Sequence, residues 1–134
     1  MPRRISVLLV DDDPAQCETM ADILSDYDCD VLPCSDPIQA ASHGSSSRFD
    51  LVLLDLIMAG MSGIDLLHRI RPRSHGCIIV LTGMVEAGMK RAAIAAGADA
   101  VMDKPVDIPQ LLEIARDVQH TGDCKASAAL VPAP

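Results

Sequence analysis

Apolar residues fall along this chain in five short, nearly unbroken runs: ISVLLV (5–10), CDVLP (29–33), DLVLL (50–54), CIIVL (77–81) and DAVM (99–102). Runs of this length rich in Val, Ile and Leu read as strands. Near-continuous hydrophobicity, in place of alternation, predicts burial on both faces, the condition of a parallel sheet covered by helices.

Between these runs the period turns helical. In PAQCETMADILSDY, Cys17, Met20, Ala21 and Leu24 share one face, with Pro14 in the first turn behind a capping Asp13. Residues 36–45 open on Asp36 and Pro37 in the same arrangement, and 64–71 place Ile64, Leu67, His68 and Arg71 along one side. Residues 85–96 are Ala-rich and enclose Gly88, which costs about 1 kcal/mol relative to Ala inside a helix. Residues 107–119 carry an apolar stripe of Ile108, Leu111, Leu112, Ala115 and Val118 behind a capping Asp107. Strand and helix therefore alternate five times, which predicts a doubly wound α/β fold with five parallel strands in the order 2-1-3-4-5. Residues 1–120 are expected to form this domain and 121–134, Ala, Ser and Pro-rich without period, a flexible tail or the remnant of a linker.

Composition narrows the partners. The interior must be filled by aliphatic residues, since 49% of the chain is hydrophobic but it has one Tyr, one Phe and no Trp. A formal charge of −8 repels a phosphate backbone, so direct nucleic-acid binding is not expected, and a cation or a basic protein surface is. The odd set of five cysteines, Cys17, Cys29, Cys34, Cys77 and Cys124, lacks CxxC spacing and reads as free thiols in the cytoplasm. Arg3 and Arg4 before ISVLLV imitate a signal peptide, but the apolar run is strand-length and ends in charge, and no stretch is long enough to span a membrane.

The chemistry lies in the residues at the end of each strand. The segment LLVDDDP drives an apolar run straight into Asp11, Asp12 and Asp13, although two like charges about 4 Å apart repel by ~4 kcal/mol at an intermediate dielectric. In a doubly wound sheet, ligands bind beyond the carboxyl ends of the strands at the switch point. There Asp11 and Asp12 come after the first strand, Asp55 after the third, Thr82 and Gly83 after the fourth, and Asp103, Lys104 and Pro105 after the fifth. Three carboxylates form an oxygen site suited to Mg²⁺, which would relieve their repulsion. Asp13, directly before Pro14, suits the helix cap instead. A carboxylate beside Mg²⁺, a Lys and a Thr suits phosphoryl transfer, with Asp55 as nucleophile, Lys104 balancing charge and Thr82 donating a hydrogen bond.

In their order, VDDDP, DLVLLDLIMAGMSG, VLTG and AGADAVMDKP resemble the receiver domain of two-component response regulators over about residues 5–119. The resemblance implies the flavodoxin-like receiver fold, with Asp55 as phosphoacceptor, Asp12 as direct Mg²⁺ ligand, Asp11 as ligand through water and the main-chain carbonyl of Ile57 as a further ligand. It also implies Thr82 and Lys104 on the phosphoryl group, and a cis bond from Lys104 to Pro105. The donor would be a sensor histidine kinase or a histidine phosphotransfer protein. A downstream protein, or a second copy in a homodimer, would read the surface of the fourth helix, fifth strand and fifth helix. The chain departs from the pattern at Val101, where an aromatic is usual, and at Ala59 and Val106. Apolar Ile57 and Met84 are expected to exclude water and prolong the acyl phosphate.

The expected role is thus a stand-alone, single-domain signalling switch that assists its own phosphorylation and dephosphorylation and does not turn over substrate. Two alternatives are a Mg²⁺-dependent phosphatase using the same aspartyl nucleophile, although Asp55 does not open the DxD nucleophile motif such an enzyme needs, and an interaction module that is never phosphorylated, against which the complete set Asp11, Asp12, Asp55, Thr82 and Lys104 argues.

Overall fold

The five apolar runs become five strands in a computed structural model that describes residues 4–46, 49–55, 63–70, 76–83 and 87–121. These are β1 (Ile5–Val10), β2 (Cys29–Cys34), β3 (Leu51–Asp55), β4 (Cys77–Thr82) and β5 (Ala100–Asp103). They alternate with α1 (Pro14–Ser25), α2 (Pro37–Ser46), α3 (Gly63–Ile70), α4 (Ala87–Ala95) and α5 (Ile108–Thr121). All four strand pairings are parallel and the order is β2-β1-β3-β4-β5, as the alternation predicts.

Side chains on a strand alternate between the two faces, and here each face meets its own helices. Leu8, Val10, Val52, Leu54, Ile78 and Val80 pack with Leu66, Leu67 and Ile70 of α3 and Ala93 of α4. Val7, Leu9, Leu51, Leu53, Ile79 and Leu81 pack with Cys17 and Leu24 of α1 and with Leu111, Ile114, Ala115 and Val118 of α5. Both faces of β4 are covered, and all six of its residues are buried.

Burial departs from the sequence reading in three elements. β2 is an edge strand, so Asp30, Leu32 and Pro33 are exposed, and Pro33 sits where a missing N–H is tolerated. On α3 the buried side is Leu66, Leu67 and Ile70, while His68 is exposed and Arg71 lies outside the described residues. Eight residues offer two overlapping apolar faces, and only the neighbouring sheet chooses between them. On α5, Ile114 joins the predicted stripe in the core.

The predicted caps form. Asp13 Oδ1 accepts the N–H groups of Ala15 and Gln16 at 3.0 and 3.4 Å, Asp36 Oδ1 that of Ile38 at 2.9 Å, and Asp107 Oδ1 that of Gln110 at 3.1 Å. Cys17, Cys29 and Cys34 are free, as expected, and burial pushes the thiols of Cys17 and Cys29 up, so they stay protonated and unreactive at neutral pH. Cys77 corrects the expectation of free thiols throughout: it is disulfide-bonded, with its partner outside the described residues. Spacing rules detect local pairs such as CxxC and are blind to cysteines that only folding brings together.

At the foot of the sheet, opposite the helix caps, acids pin the strand starts. Asp50 Oδ2 accepts the Ser6 N–H at 2.9 Å and Asp99 Oδ2 the Ile78 N–H at 2.8 Å. Arg4 closes the edge, donating to Asp30 Oδ1 at 2.6 Å and to the Cys29 carbonyl at 2.9 Å. Gly76 passes so close to the chain entering β3 that a Cβ would overlap the carbonyl oxygens of Phe49 and Asp50. Gly76→Ala is expected to cost about 1–3 kcal/mol, because the atoms it meets are backbone and cannot rotate away. Urea denaturation checks this; a midpoint equal to the parent's would mean that the two segments part without cost.

Candidate functional site

Two central strands bring the acids together. β1 and β3 are neighbours, so Asp11 and Asp12, which come after β1, and Asp55, the last residue of β3, meet at one edge. One carboxylate oxygen from each of the three lies within 4.8 Å of the others. Asp11 is drawn in further by accepting the Asp13 N–H on Oδ1 at 3.0 Å, a contact that the sequence reading missed. Asp13 itself faces the helix, so the triplet divides as expected between cluster and cap.

Lys104 reaches this cluster from two strands away. β4 separates β5 from β3, a gap of ~10 Å at two strand spacings, which a long side chain closes. Its Nζ lies 3.2 Å from Asp55 Oδ2 and 3.8 Å from Asp11 Oδ2. Thr82 ends the intervening strand, 1% exposed, and its carbonyl accepts the Lys104 N–H at 2.8 Å. The peptide bond from Lys104 to Pro105 is cis. Asp11, Asp12, Asp55, Thr82 and Lys104 are therefore gathered at one sheet edge, whereas Ile57 and Met84 lie outside the described residues, as does Ala59.

Three carboxylates and one ammonium give the cluster a formal charge of −2, which a divalent cation balances. Mg²⁺ binds oxygen at 2.0–2.1 Å, so two opposite ligands stand ~4.2 Å apart. Three carboxylate oxygens within 4.8 Å of one another are near enough to share one such ion. The donor set therefore fits a hard divalent cation.

The charge has a cost at Asp11. Burial raises its carboxyl above the ordinary value of 3.8; the Asp13 N–H pulls it back, Asp55 raises it, and Lys104 lowers it. Beside the cluster, between α1 and residues 104–108, an apolar groove of about 440 Å³ is lined by Met20, Ile23, Leu81, Val106 and Ile108, with Asp11 and Lys104 also on its wall. The helix periodicity reads Met20 simply as core, whereas its side chain also lines this groove.

The sequence pattern described as "Response regulator receiver domain" matches residues 7–116. The chain belongs to the response regulator receiver family. Over 109 residues it is 34% identical to the DNA-binding response regulator MtrA of Mycolicibacterium smegmatis and 30% identical to the probable transcriptional regulatory protein TcrX of Mycobacterium tuberculosis. Each alignment covers 81% of this chain, but 48% of MtrA and 47% of TcrX, so the chain spans about half the length of these relatives. A CheY-like receiver domain protein of Methanospirillum hungatei superposes with a TM-score of 0.78 at 27% identity, covering 89% of this chain and 96% of that one. The receiver domain of the sensor histidine kinase PA1611 of Pseudomonas aeruginosa, solved with magnesium in its active-site cleft, gives 0.77 at 24%, covering 88% and 99%, a likeness of fold.

In this receiver domain Val101 is buried against the α4 side of the sheet, and Val106 packs partly on the α5 side. No helix among the described residues is long and apolar enough to cross a membrane.

Because the folded receiver holds the Asp11 proton more tightly than the unfolded chain does, ionised Asp11 works against the fold. The stabilisation is full below about pH 3.8 and is lost as pH rises through the raised value. Asp11→Asn keeps an acceptor for Asp13 and removes the charge. In chelator-treated protein this variant should melt above the parent at pH 7, with the gap closing below pH 3.8, as followed by calorimetry. A gap that persists unchanged in acid would assign the difference to packing.

Proposed function

We propose that this chain is a phosphoryl-accepting switch of a two-component system, working in the cytoplasm. Asp55 takes a phosphoryl group from the phosphohistidine of a sensor kinase or phosphotransfer protein, and the modified domain changes its affinity for a downstream protein. The observation that carries this reading is the placement of Lys104 Nζ, 3.2 Å from Asp55 and 3.8 Å from Asp11, within the only group of three acids close enough to share a metal ion among the described residues.

In the transfer, an Asp55 oxygen attacks phosphorus, the bond from phosphorus to the donor's ring nitrogen breaks, and that nitrogen keeps the electron pair. Lys104 sits where the new phosphoryl oxygens arrive and offsets their charge, and the Thr82 hydroxyl donates to one of them. Asp11, Asp12 and Asp55 would hold Mg²⁺, with the Ile57 carbonyl as a further ligand. When bound, Mg²⁺ neutralises charge on the phosphoryl oxygens. Support for that metal comes from the donor set and from the magnesium in the PA1611 receiver domain. The apolar groove between α1 and residues 104–108 offers the donor protein a surface to grip. Charge argues against direct contact with nucleic acid.

Acetyl phosphate with Mg²⁺ should place one acid-labile phosphate on the parent protein and none on Asp55→Asn. Lys104→Met should retain the site but slow the uptake by about 10²-fold, the usual effect of removing one group that stabilises developing charge. Mass spectrometry that finds the phosphate on another residue, or uptake that is indifferent to Mg²⁺, would overturn the reading.

A further inference from the structure

Asp103 and Lys104 are neighbours at the end of β5, and their side chains part to opposite sides. Val101 belongs to the core on the α4 side and Met102 to the core on the α5 side, so Asp103 follows Val101 toward α4. There Lys90 of α4 grips it with both carboxylate oxygens in reach, at 2.9 Å from Oδ1 and 3.1 Å from Oδ2. Lys104 turns the other way and holds Asp55. Charges thus alternate along one path: Asp55, Lys104, Asp103, Lys90.

We propose that Lys90 is a positioning residue through which the charge state of Asp55 sets the placement of α4. The inference rests on Asp55 as the phosphoacceptor. Added negative charge at Asp55 pulls Lys104, and the Lys104 N–H on the Thr82 carbonyl makes the ends of β4 and β5 move together. That motion re-aims Asp103 and, with it, Lys90. The Lys90 side chain is only 16% exposed, so it cannot trade its partner freely for water.

α4 is open to such leverage. It has nine residues, Ala93 is its one fully buried side chain among those described, Met89 and Ile94 pack only partly on the same core, and a Cβ on Gly88 would meet nothing within 4 Å. A depression of about 280 Å³, lined by Lys90, Val101, Asp103, Pro105 and Gln110 among others, leaves space beside the ion pair for it to shift.

Hydrogen exchange at residues 87–95 provides the test, first without any phosphoryl donor. Lys90→Met and Lys104→Met should each speed exchange in α4 several-fold, and the double variant should exchange no faster than Lys90→Met alone. Lys90→Arg should restore the parent rate. Effects that multiply in the double variant would overturn the proposal. In the second arm, beryllofluoride with Mg²⁺ should change α4 exchange in the parent and in Lys90→Arg, but not in Lys90→Met or Asp103→Asn. Acetyl phosphate should still load Asp55 in all four. A parent-like response in Lys90→Met would sink the relay. A parent that takes no phosphate would instead sink the phosphoacceptor reading, while the first arm still decides whether Lys104 and Lys90 are coupled.

Discussion

Three carboxylates share one sheet edge here, and the placing of most other polar groups around them answers to that crowding. Two like charges at about 4 Å repel by ~4 kcal/mol at an intermediate dielectric, comparable with a large part of a domain's net stability. Asp11 carries the trace of it in a carboxyl raised by burial and by Asp55. The cluster persists because Lys104 places an ammonium beside Asp55 and Asp11, and because a backbone N–H ties down one Asp11 oxygen. Such an arrangement is poised for a cation and an anionic group together, since each lowers the cost of the other.

The parallel sheet makes this crowding unavoidable. Every strand ends on the same side, so residues far apart in sequence arrive at one edge whether or not their charges suit one another. The two ends of the sheet treat the same residue type differently. At the foot, Asp50 and Asp99 accept backbone N–H groups of neighbouring strands and lengthen the ladder. At the opposite edge, Asp11, Asp12 and Asp55 face one another. One set stabilises the fold, and the other draws on that stability to hold charge in readiness.

Much of this was legible along the chain. Each strand boundary falls within one residue of its apolar run, because Val, Ile and Leu gather where the chain enters the sheet. Caps at Asp13, Asp36 and Asp107 were readable because capping is local, an oxygen two or three residues from its N–H. The features that escaped involve distant partners. The exposure of β2 comes from its place at the edge; the buried side of α3 is set by the sheet beneath it; Gly76 is needed because residues 49–50 pass over it. No local pattern singles out Lys90, because nothing within its own segment points to Asp103.

Periodicity and strand-end residues by themselves determined the fold class, the strand order and which side chains would converge, because burial pattern and crossover handedness are rules that act along the chain. The tertiary structure decided the distances and the electrostatics: how closely three carboxylates approach, which of them Lys104 holds, and which acids at the two ends of the sheet are satisfied by backbone. Those depend on strand spacing, side-chain reach and the local exclusion of water, quantities that exist only once separate segments are packed against each other.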